Sequence, residues 1–375
     1  MKVLHVLNEL KPSGAETMLR SAAPYWAEHD VTCEILATGK TEGEFAETLR
    51  IAGYRVHHLP RRRTPKYYLD FRRFVDEGRY HLIHQHAEGS SYWFGLATLS
   101  AGAGLVRTVH SNFAFDGNLR WRRALQRRHL QALNTHFVSI ATGVQKNEFE
   151  RFGIKTELVW NWIDTERFKP VSNEERVTAR DRWGFDAENL VLVSLGNCSV
   201  VKNHAVLLEA LACIPELSHV RYLHIGQEDT ECSERQLVEK LGLGDYVKFC
   251  GWMTNPREAL AAADLYVMPS IYEGLGLAAL EALGIGLPAL LADVNGLRDL
   301  KEVFPNLMYA APQPEAFARA IREFAMLGAL ERSSLSSQYP KLVKDKFSVA
   351  RGVQEYCSLY KVASRRLVPE KRMQS

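Results

Sequence analysis

The sequence predicts an α/β protein of two doubly wound domains, each a parallel sheet covered by helices. Short apolar runs alternate with amphipathic segments along the whole chain, as in strands joined by crossover helices. The chain has 375 residues, which is enough for two domains of ordinary size. A polar stretch at residues 168–190 contains Pro170 and divides the runs into two arrays.

Eleven apolar runs are predicted to be strands. Six of them precede the polar stretch, in the order KVLHVL, VTCEILA, YRVHHL, YHLIHQH, LVRTVH and HFVSI. Five follow it, in the order NLVLVSLG, VRYLHIG, YVKFCG, DLYVMPS and LPALLA. We therefore assign an N-terminal domain to residues 1–167, and a linker with a C-terminal domain to residues 168–357. The tail from about Ser348 to Arg366 is predicted to be helical. We expect a helix at about 358–375 to pack back on the N-terminal domain.

The composition is that of an ordinary soluble globular protein, with 46% hydrophobic and 24% charged residues. A net charge of +3 is too small to indicate a nucleic-acid partner. The six cysteines form no CxxC pair, so the sequence offers neither a zinc motif nor a disulfide framework and favours a reducing compartment. The N-terminus MKVLHVLNELKP is a poor signal peptide, and no apolar run is long enough to span a membrane. We therefore expect a cytoplasmic protein.

Three residues of the first domain stand where a parallel sheet binds ligands, at the carboxyl ends of predicted strands. Gly14 follows strand KVLHVL and begins a helix, where a ligand reaches the backbone and the helix N-terminus attracts phosphate. The alternative is that Gly14 only makes a turn. His86 and His110 end two later strands. Because they occupy equivalent strand ends, a substrate-binding role and a structural role are comparable hypotheses for them.

Two loops of the second domain also follow strand ends. Lys202 comes shortly after strand NLVLVSLG and just before a predicted helix. A point charge beside oriented N–H groups suits a diphosphate, whereas the alternative is a solvated surface lysine. The loop after YVKFCG contains Gly251 and Trp252. It would either flank a nucleobase, partly through its backbone, or pack Trp252 into the core.

The segment IYEGLGLAALEALGIGLPAL places two acids in an otherwise apolar, glycine-rich run. A carboxylate in such surroundings is costly unless it is paired or hydrogen-bonded. Glu273 lies in the loop after strand DLYVMPS, and Glu281 lies one to two turns into the next helix, where it either forms a salt bridge or accepts hydrogen bonds from ligand hydroxyls. Between the two acids, phosphate can be held by the backbone amides of Leu275, Gly276 and Leu277.

These residues together resemble the retaining family 4 glycosyltransferases of the GT-B fold, also called group 1 glycosyltransferases. The spacing E-x7-E from Glu273 to Glu281 is that family's signature. Four further segments resemble family motifs in the expected order: SGAE at Ser13–Glu16 (GGAE), VHSN (the mid-domain histidine loop), VWNWIDTERFKP (NGVDTERF) and LGNCSVVKNH (GRLxxxKN). The similarity spans nearly the whole chain. It implies two Rossmann-like domains that face each other across a cleft.

The resemblance implies a retaining transfer of a sugar from a nucleotide-diphosphate sugar, with a UDP-sugar favoured, to a hydroxyl of a glycan or lipid-linked acceptor. It implies no metal and no other cofactor, and the sequence contains no D-x-D pair that would hold Mg²⁺. The catalytic residues would be Glu273 on the donor sugar, His110 near the transferred sugar and Lys202 on the diphosphate. Glu281 would accept hydrogen bonds from the ribose. Further donor contacts would come from Gly14, Gly251, Gly274, Leu275, Gly276 and Leu277.

The sequence departs from the family pattern at two positions. Asn197 stands in place of the arginine of the GRL motif, which removes one positive charge from the phosphate site. Arg298, or Ser199 with backbone amides, is the candidate substitute, so Asn197, Ser199 and Arg298 are also assigned to the donor site. Trp162 stands in place of the glycine of the interdomain NG segment and puts a bulky indole there.

Two other functions stay open. A GT-B-fold sugar-nucleotide epimerase is the nearest enzymatic alternative, and the E-x7-E spacing and the SGAE loop argue against it. A catalytically inactive sugar-nucleotide-binding subunit that activates a partner is an alternative of a different class. The substitution at Asn197 keeps that second alternative open.

The segment NLRWRRALQRRHLQAL, residues 118–133, holds five arginines between residues 120 and 130, with Trp121, Leu125 and Leu130 among them. Helices of this composition sit on anionic membrane surfaces, and the alternative is a solvated helix without a partner. Many members of the family act on lipid-linked sugars at the inner membrane face. The hypothesis is therefore an enzyme of surface polysaccharide or glycolipid biosynthesis that binds that membrane face peripherally.

Overall fold

The computed structural model describes residues 1–62, 64–214 and 217–365. Within them the chain forms two compact units. The first contains residues 1–162 and the chain from Val349 onward, and the second contains residues 163–348. Among the described residues, no helix combines the length and the apolar composition needed to cross a bilayer.

The first unit contains a parallel sheet of seven strands. Its strands are β1 (Lys2–Leu7), β2 (Thr32–Ala37), β3 (Arg55–His58), β4 (Leu82–Gln85), β5 (Gly104–Val109), β6 (His136–Ser139) and β7 (Glu157–Leu158). Their spatial order is β3-β2-β1-β4-β5-β6-β7, and every pair is parallel. Strand order reverses between β1 and β4, so the loops after these two strands border the crevice where such sheets bind ligands.

Helices cover both faces of this sheet. They are α1 (Gly14–Ala22), α2 (Ala46–Ile51), α3 (Pro65–Glu77), α4 (Ser91–Ser100), α5 (Gly117–Ala132), α6 (Thr142–Asn147) and, last in the chain, α15 (Val349–Arg365). Right-handed crossovers put α3, α4 and α5 on one face and α1 and α2 on the other. The core between sheet and helices is aromatic and aliphatic, and includes Phe71, Phe94, Leu105, Leu130 and Phe137.

The C-terminal helix belongs to the first unit, where α15 contacts β4, β5 and α1. Its Tyr356 and Tyr360 are buried, and each bonds a side chain of the sheet. The helix predicted for the tail is thus present to Arg365. The remainder of that prediction, residues 366–375, lies outside the described residues.

The second unit contains a sheet of six parallel strands. They are β8 (Leu190–Leu195), β9 (Val220–Ile225), β10 (Val247–Phe249), β11 (Leu265–Met268), β12 (Ala289–Ala292) and β13 (Met308–Ala310). Their order is β10-β9-β8-β11-β12-β13. Here the order reverses between β8 and β11. Both units therefore have the doubly wound topology that the sequence predicts.

Eight helices belong to the described part of the second unit. They are α7 (Asn173–Trp183), α8 (His204–Ala212), α9 (Ser233–Lys240), α10 (Arg257–Ala262), α11 (Leu277–Gly284), α12 (Pro314–Met326), α13 (Ala329–Ser336) and α14 (Tyr339–Phe347). A short 3-10 helix, Arg298–Glu302, follows β12. α11 packs on α14, and α8 packs on α12.

The predicted linker at residues 168–190 contains a helix of the second unit. α7 begins with a capping box, in which Ser172 and Glu175 bond each other's backbone amides. Arg176 and Arg180 anchor α7 through ion pairs to Asp264, at 2.6 and 3.2 Å. The polar composition of the stretch, which suggested a linker, therefore belongs to a helix that is attached by these ion pairs and by a small apolar cluster around Ala179.

All eleven predicted strands are present, with ends that differ by no more than about two residues. Two strands, β7 and β13, were not predicted from the sequence. Both are edge strands of two or three residues, and neither stands out as an apolar run. The predicted core of each sheet was therefore correct, and the error lies at the edges.

Candidate active site

The loops that border the crevice of the second unit bring Lys202 and Glu273 together. Lys202 follows β8 and Glu273 follows β11, the two strands between which the strand order reverses. Lys202 Nζ lies 2.7 Å from Glu273 Oε1, and the Ser270 hydroxyl donates to the same oxygen at 2.8 Å. Both charged side chains are mostly shielded from solvent. An opposed pair of charges thus stands where such a sheet binds ligands.

The residue after Lys202, Asn203, has a left-handed backbone conformation. Asn203 precedes α8 with φ 56°, a conformation that asparagine tolerates better than most residues. Its side-chain amide donates to the carbonyl of Pro269 at 3.2 Å, and the amide of Ile271 donates to the carbonyl of Val201 at 2.8 Å. The loops after β8 and β11 are therefore tied to each other through backbone and side chain.

The glycines around Glu273 are required by close approach of the backbone. Gly276 has φ 78°, and a Cβ there would lie 2.7 Å from Leu297 Cδ2. Gly296 has φ 89°, and a Cβ there would lie 2.1 Å from the carbonyl oxygen of Glu273. The loop after β12 is therefore packed against the segment from Gly274 to Leu277, whose amides lead into the N-terminus of α11. This arrangement suits an anion.

Glu281 lies on α11, and its side chain is partly exposed. One side of this apolar helix segment is therefore open, and the two hypotheses for Glu281, a salt bridge or ligand hydroxyls, stay predictions. Both Glu273 and Glu281 affect the pKa of the buried Tyr266 of β11. Burial raises the pKa of the Tyr266 hydroxyl, and the two carboxylates raise it further. The two acids of the E-x7-E spacing therefore lie near the same buried tyrosine of the second unit.

Asn197 and the two candidate substitutes for the missing arginine have partners of their own. Asn197 Oδ1 accepts from the amide of Gln227 at 2.9 Å. Ser199 Oγ accepts from the amide of Lys202 at 3.3 Å. Arg298 is engaged by Asp293, with Nε 2.7 Å from Oδ1. Asn197 and Ser199 thus brace the loop after β8, whereas the charge of Arg298 is compensated within the loop after β12.

The loop after β10 carries an exposed tryptophan. Gly251 accepts at its carbonyl from the amide of Gly226 at 2.9 Å, which joins the loops after β9 and β10. Trp252 is 54% exposed. The alternative that Trp252 packs into the core is therefore wrong, and its indole is accessible to a ligand.

The first unit contains a hydrogen-bonded chain of three histidines, one within β1 and two just after β4 and β5. His110 Nε2 lies 2.9 Å from His86 Nδ1, and His86 Nε2 lies 3.0 Å from His5 Nδ1. His86 and His110 are the two predicted strand-end histidines, and the structure joins them directly. His5, on β1, is buried and was missed. Gly14 begins α1, as predicted.

These imidazoles are neutral at ordinary pH. Burial lowers the pKa of His5 to about 3 and that of His110 to about 4. The pKa of His86 is lowered by burial and then by the neighbouring histidines. A chain of neutral imidazoles passes hydrogen bonds in one direction, so the tautomer of His5 determines whether His110 Nδ1 is a donor or an acceptor.

A further histidine, His84, lies beside this chain but has no free nitrogen. Its Nδ1 lies 2.6 Å from the hydroxyl of Tyr360, and its Nε2 lies 2.7 Å from the hydroxyl of Thr108. His5, His84 and His86 have the spacing of metal ligands. Because both nitrogens of His84 are engaged, hydrogen bonding explains this group.

The arginines of the segment 118–133 differ in their surroundings. Arg127 is buried and lies 2.8 Å from Glu148 and 3.2 Å from Glu88. Arg107 of β5 also pairs with Glu88. Arg127 is therefore not available to a partner of this helix, because its charge is paired with the buried carboxylate of Glu148.

The indole of Trp162 has a specific place in the first unit. It is buried, and its Nε1 donates to the carbonyl of Met18 at 3.2 Å. A Cβ on Gly352 of α15 would lie 2.1 Å from the indole, so a glycine at 352 provides the room. The departure from the family's NG segment is therefore compensated locally in packing.

Two family models match this chain. The model described as "Glycosyl transferases group 1" matches residues 175–336, and the model described as "Glycosyltransferase Family 4" matches residues 12–167. The first match contains the loops with Lys202, Glu273 and Glu281. The second contains the histidine chain from His86 to His110. The models together therefore account for most of both units.

The chain is also similar to individual glycosyltransferases. EpsD of Bacillus subtilis (strain 168), whose name provisionally assigns it as a glycosyltransferase, is 27% identical over 320 residues, which are 80% of this chain and 83% of EpsD. A GDP-mannose-dependent phosphatidylinositol dimannoside mannosyltransferase of Mycobacterium tuberculosis is 30% identical over 217 residues, 56% of this chain and 55% of that protein. The crystal structure of HepE of Anabaena in complex with UDP and glucose superposes with a TM-score of 0.83 at 20% identity, covering 96% of this chain and all of HepE. The chain therefore belongs to the group 1 glycosyltransferases, which are transferase enzymes of the GT-B fold.

Proposed function

We propose that this enzyme is a retaining transferase that moves a sugar from a UDP-sugar to a hydroxyl of a glycan or lipid-linked acceptor, in surface polysaccharide or glycolipid biosynthesis. The observation that carries the proposal is the pairing of Lys202 with Glu273 beside the amides that lead into α11. One cation, one carboxylate and a helix N-terminus match the three parts of such a donor. Lys202 suits the diphosphate, and Glu273 suits the sugar hydroxyls. The helix N-terminus suits the negative charge that develops on the diphosphate as it leaves.

The chemistry requires stabilisation of a leaving diphosphate. As the bond between the sugar and the diphosphate breaks, positive charge grows on the sugar ring and negative charge grows on the phosphate oxygens. Lys202 and the amides from Gly274 to Leu277 are assigned to those oxygens, since fixed donors need little reorganisation. In this structure Glu273 balances the charge of Lys202. A bound diphosphate would take over that charge and release Glu273 to a sugar hydroxyl.

The similar proteins support a nucleotide-sugar donor. The choice of base and the retaining outcome are part of the proposal. Structures of HepE contain UDP, UDP with glucose, or UDP-glucose. A mycobacterial relative is named as dependent on GDP-mannose. We favour UDP because the HepE likeness spans nearly the whole chain, and the mannosyltransferase likeness spans about half of it. The retaining outcome rests on the family resemblance of the E-x7-E spacing.

A thermal-shift screen against UDP-, GDP-, ADP- and dTDP-sugars tests the donor. We expect a UDP-sugar to raise the unfolding temperature most, because ligand binding stabilises the folded state by mass action. A larger shift with a GDP-sugar would overturn the choice of base. A matched donor without acceptor should stay unchanged, whereas an epimerase would convert it.

Turnover and stereochemistry then separate the remaining alternatives. With donor and acceptor present, we expect release of nucleoside diphosphate without added Mg²⁺. We expect a product whose anomeric proton coupling matches that of the donor. An inverted anomer would contradict the retaining mechanism. Tight donor binding with no release for any acceptor would instead support an inactive binding subunit.

We also propose that α5 contacts an anionic membrane surface. Trp121 is 67% exposed and Leu125 is 72% exposed, and one turn separates them on the helix. Arg122 and Arg128 are exposed on the same side. This face combines an aromatic residue, an aliphatic residue and two cations, which suits the headgroup region of a bilayer.

Co-sedimentation with vesicles tests the membrane proposal. We expect binding to vesicles that contain anionic lipid and loss of that binding in Leu125→Ser. Leu330→Ser is the matched control, because Leu330 is as exposed but lies on α13 of the other unit. Equal binding of both variants, or binding that ignores lipid charge, would contradict the proposal.

A further inference from the structure

A cluster of four buried polar side chains lies under the loop that follows β8 in the second unit. Cys198 comes from that loop, His204 is the first residue of α8, His224 lies on β9, and Glu234 lies in the first turn of α9. All four are at least nine-tenths buried. The carboxylate of Glu234 lies close enough to the Cys198 thiol to raise its pKa. No part of the proposed transfer chemistry uses these four side chains.

Three atoms of this cluster lack a hydrogen-bond partner among the described residues. They are Nδ1 of His204, Nδ1 of His224 and Oε2 of Glu234. Buried polar atoms are nearly always paired in folded proteins. Three such atoms in one cluster therefore indicate a ligand that the polypeptide itself does not supply.

The geometry points to a metal ion: we propose that Cys198, His204 and His224 bind one Zn²⁺, with the Glu234 carboxylate beside Cys198 as a charge partner. One ligand atom from each of the first three lies within 4.8 Å of the others. His224 Nε2 lies 3.0 Å from the carbonyl oxygen of Gly196. An imidazole that donates from Nε2 to a carbonyl keeps its lone pair on Nδ1, which is how ligating histidines are commonly oriented.

The donor set selects zinc over the harder cations. One thiolate and two imidazoles make a set of sulfur and nitrogen ligands that zinc prefers, and a water can complete four-coordination. Mg²⁺ and Ca²⁺ prefer oxygen ligands throughout. The thiolate and the carboxylate together supply two negative charges, which balance the ion in a buried site.

The protonation states without metal determine what binding must displace. Burial lowers the pKa of His204 and His224, so both imidazoles are neutral, as ligation requires. Burial, and then Glu234, raise the pKa of the Cys198 thiol to about 12. Binding therefore replaces the thiol proton: the S–H bond breaks, the sulfur–zinc bond forms, and one proton leaves to solvent.

The site would act as a clamp on the loop after β8. The ion would join Cys198 to β9, α8 and α9, and thereby fix the adjacent residues Asn197, Ser199 and Lys202. A zinc ion here would be structural and would take no part in the transfer. The spacing of the ligands along the chain matches no metal motif, because separate strands and helices bring them together.

The proposal is tested on the full chain, purified without a polyhistidine tag. We expect about one Zn²⁺ per chain by elemental analysis after dialysis against buffered zinc. Replacement by Co²⁺ should give the visible bands of tetrahedral cobalt and a near-ultraviolet band from thiolate to cobalt. Substoichiometric zinc, or a cobalt spectrum without the thiolate band, would overturn the proposal.

Two variants and one control assign the ligands. Cys198→Ser should remove the thiolate band and lower zinc affinity by at least about 100-fold, and His224→Gln should lower it similarly. Cys213→Ser is the control, because Cys213 is an exposed cysteine outside the cluster. Wild-type affinity in Cys198→Ser would overturn the site. If that variant does not fold, the cobalt spectrum of the unmodified chain gives the answer.

Discussion

The two units share one topology but place different chemistry at the point where strand order reverses. In the second unit this point carries an ion pair, Lys202 with Glu273. In the first unit it carries neutral imidazoles, His5 and His86. The first unit also contains buried charges, those of Arg127 and Glu148, and these two are paired with each other.

The difference follows from what each group can bind. A charged pair can exchange one partner for a charged ligand, so it suits a diphosphate. Neutral imidazoles offer directional donors and acceptors without attracting an anion, so they suit hydroxyl groups. The same backbone topology thus supplies two crevices, and the side chains at the strand ends decide which part of a substrate each favours.

The largest effect should come from breaking the buried ion pair of the first unit. We expect Glu148→Ala to lower the free energy of unfolding by about 3–5 kcal/mol, because it leaves the Arg127 charge buried without its main partner. Chemical denaturation measures this. Glu150→Ala is the control, because Glu150 is exposed and its pair with Lys146 is long, at 3.9 Å; it should cost less than about 0.5 kcal/mol. Equal losses in both variants would mean that the first unit does not depend on this charge.

Removal of the Lys202 charge in the second unit should, in contrast, lower activity much more than stability. We expect Lys202→Ala to reduce turnover by about 10²–10³-fold, because a fixed donor to the leaving diphosphate is lost. The unfolding free energy should change by less than about 1 kcal/mol, since Lys202 is still 28% exposed and the Ser270 hydroxyl continues to donate to Glu273. Lys301→Ala is the control, because Lys301 pairs with Asp293 on a neighbouring loop. A large loss of stability with full activity would remove the contrast between the units.

A smaller effect should separate the two acids of the second unit. We expect Glu281→Ala to weaken nucleotide binding by about 1–3 kcal/mol, because ribose hydroxyls lose their acceptor. Glu273→Ala should lower turnover more than nucleotide affinity. Calorimetry with UDP, compared with steady-state rates, measures both. The reverse pattern would mean that the sugar and ribose roles of the two acids are exchanged.

Sequence pattern was sufficient where a signal is local. Each predicted apolar run is a strand. The loops after strand ends contain the candidate residues Lys202, Glu273, His86 and His110. Two local signals were present but overlooked. Ser172 to Glu175 is a capping box in the predicted linker. Arg127 stands three residues from both Ala124 and Leu130, which marks it as inward-facing on α5.

Other features depend on distances that only the fold supplies. His5 lies inside an apolar strand and gives no sign that it meets His86, which is 81 residues away in the chain. Cys198 and His224 are brought together by the pairing of β8 with β9. Arg298 looked available as a phosphate ligand, but a residue of its own loop, Asp293, engages it.

The smallest effect concerns the pH dependence of the first unit. Folding lowers the pKa of His5 from 6.5 to about 3. Between these values the unfolded chain binds a proton at His5 and the folded chain does not, so the free energy of unfolding falls as pH falls. One such histidine contributes about 1.4 kcal/mol per pH unit. We therefore expect His5→Phe to flatten the decline between about pH 6 and pH 4 by that amount.

Urea denaturation of both proteins across this range measures the slopes. The loss of the His5–His86 hydrogen bond lowers the stability of His5→Phe at every pH, so the slope alone is diagnostic. Parallel curves would show that His5 binds its proton equally well in both states. The imidazole chain of the first unit would then not be held neutral at His5, and the contrast with the charged crevice of the second unit would fail at that residue.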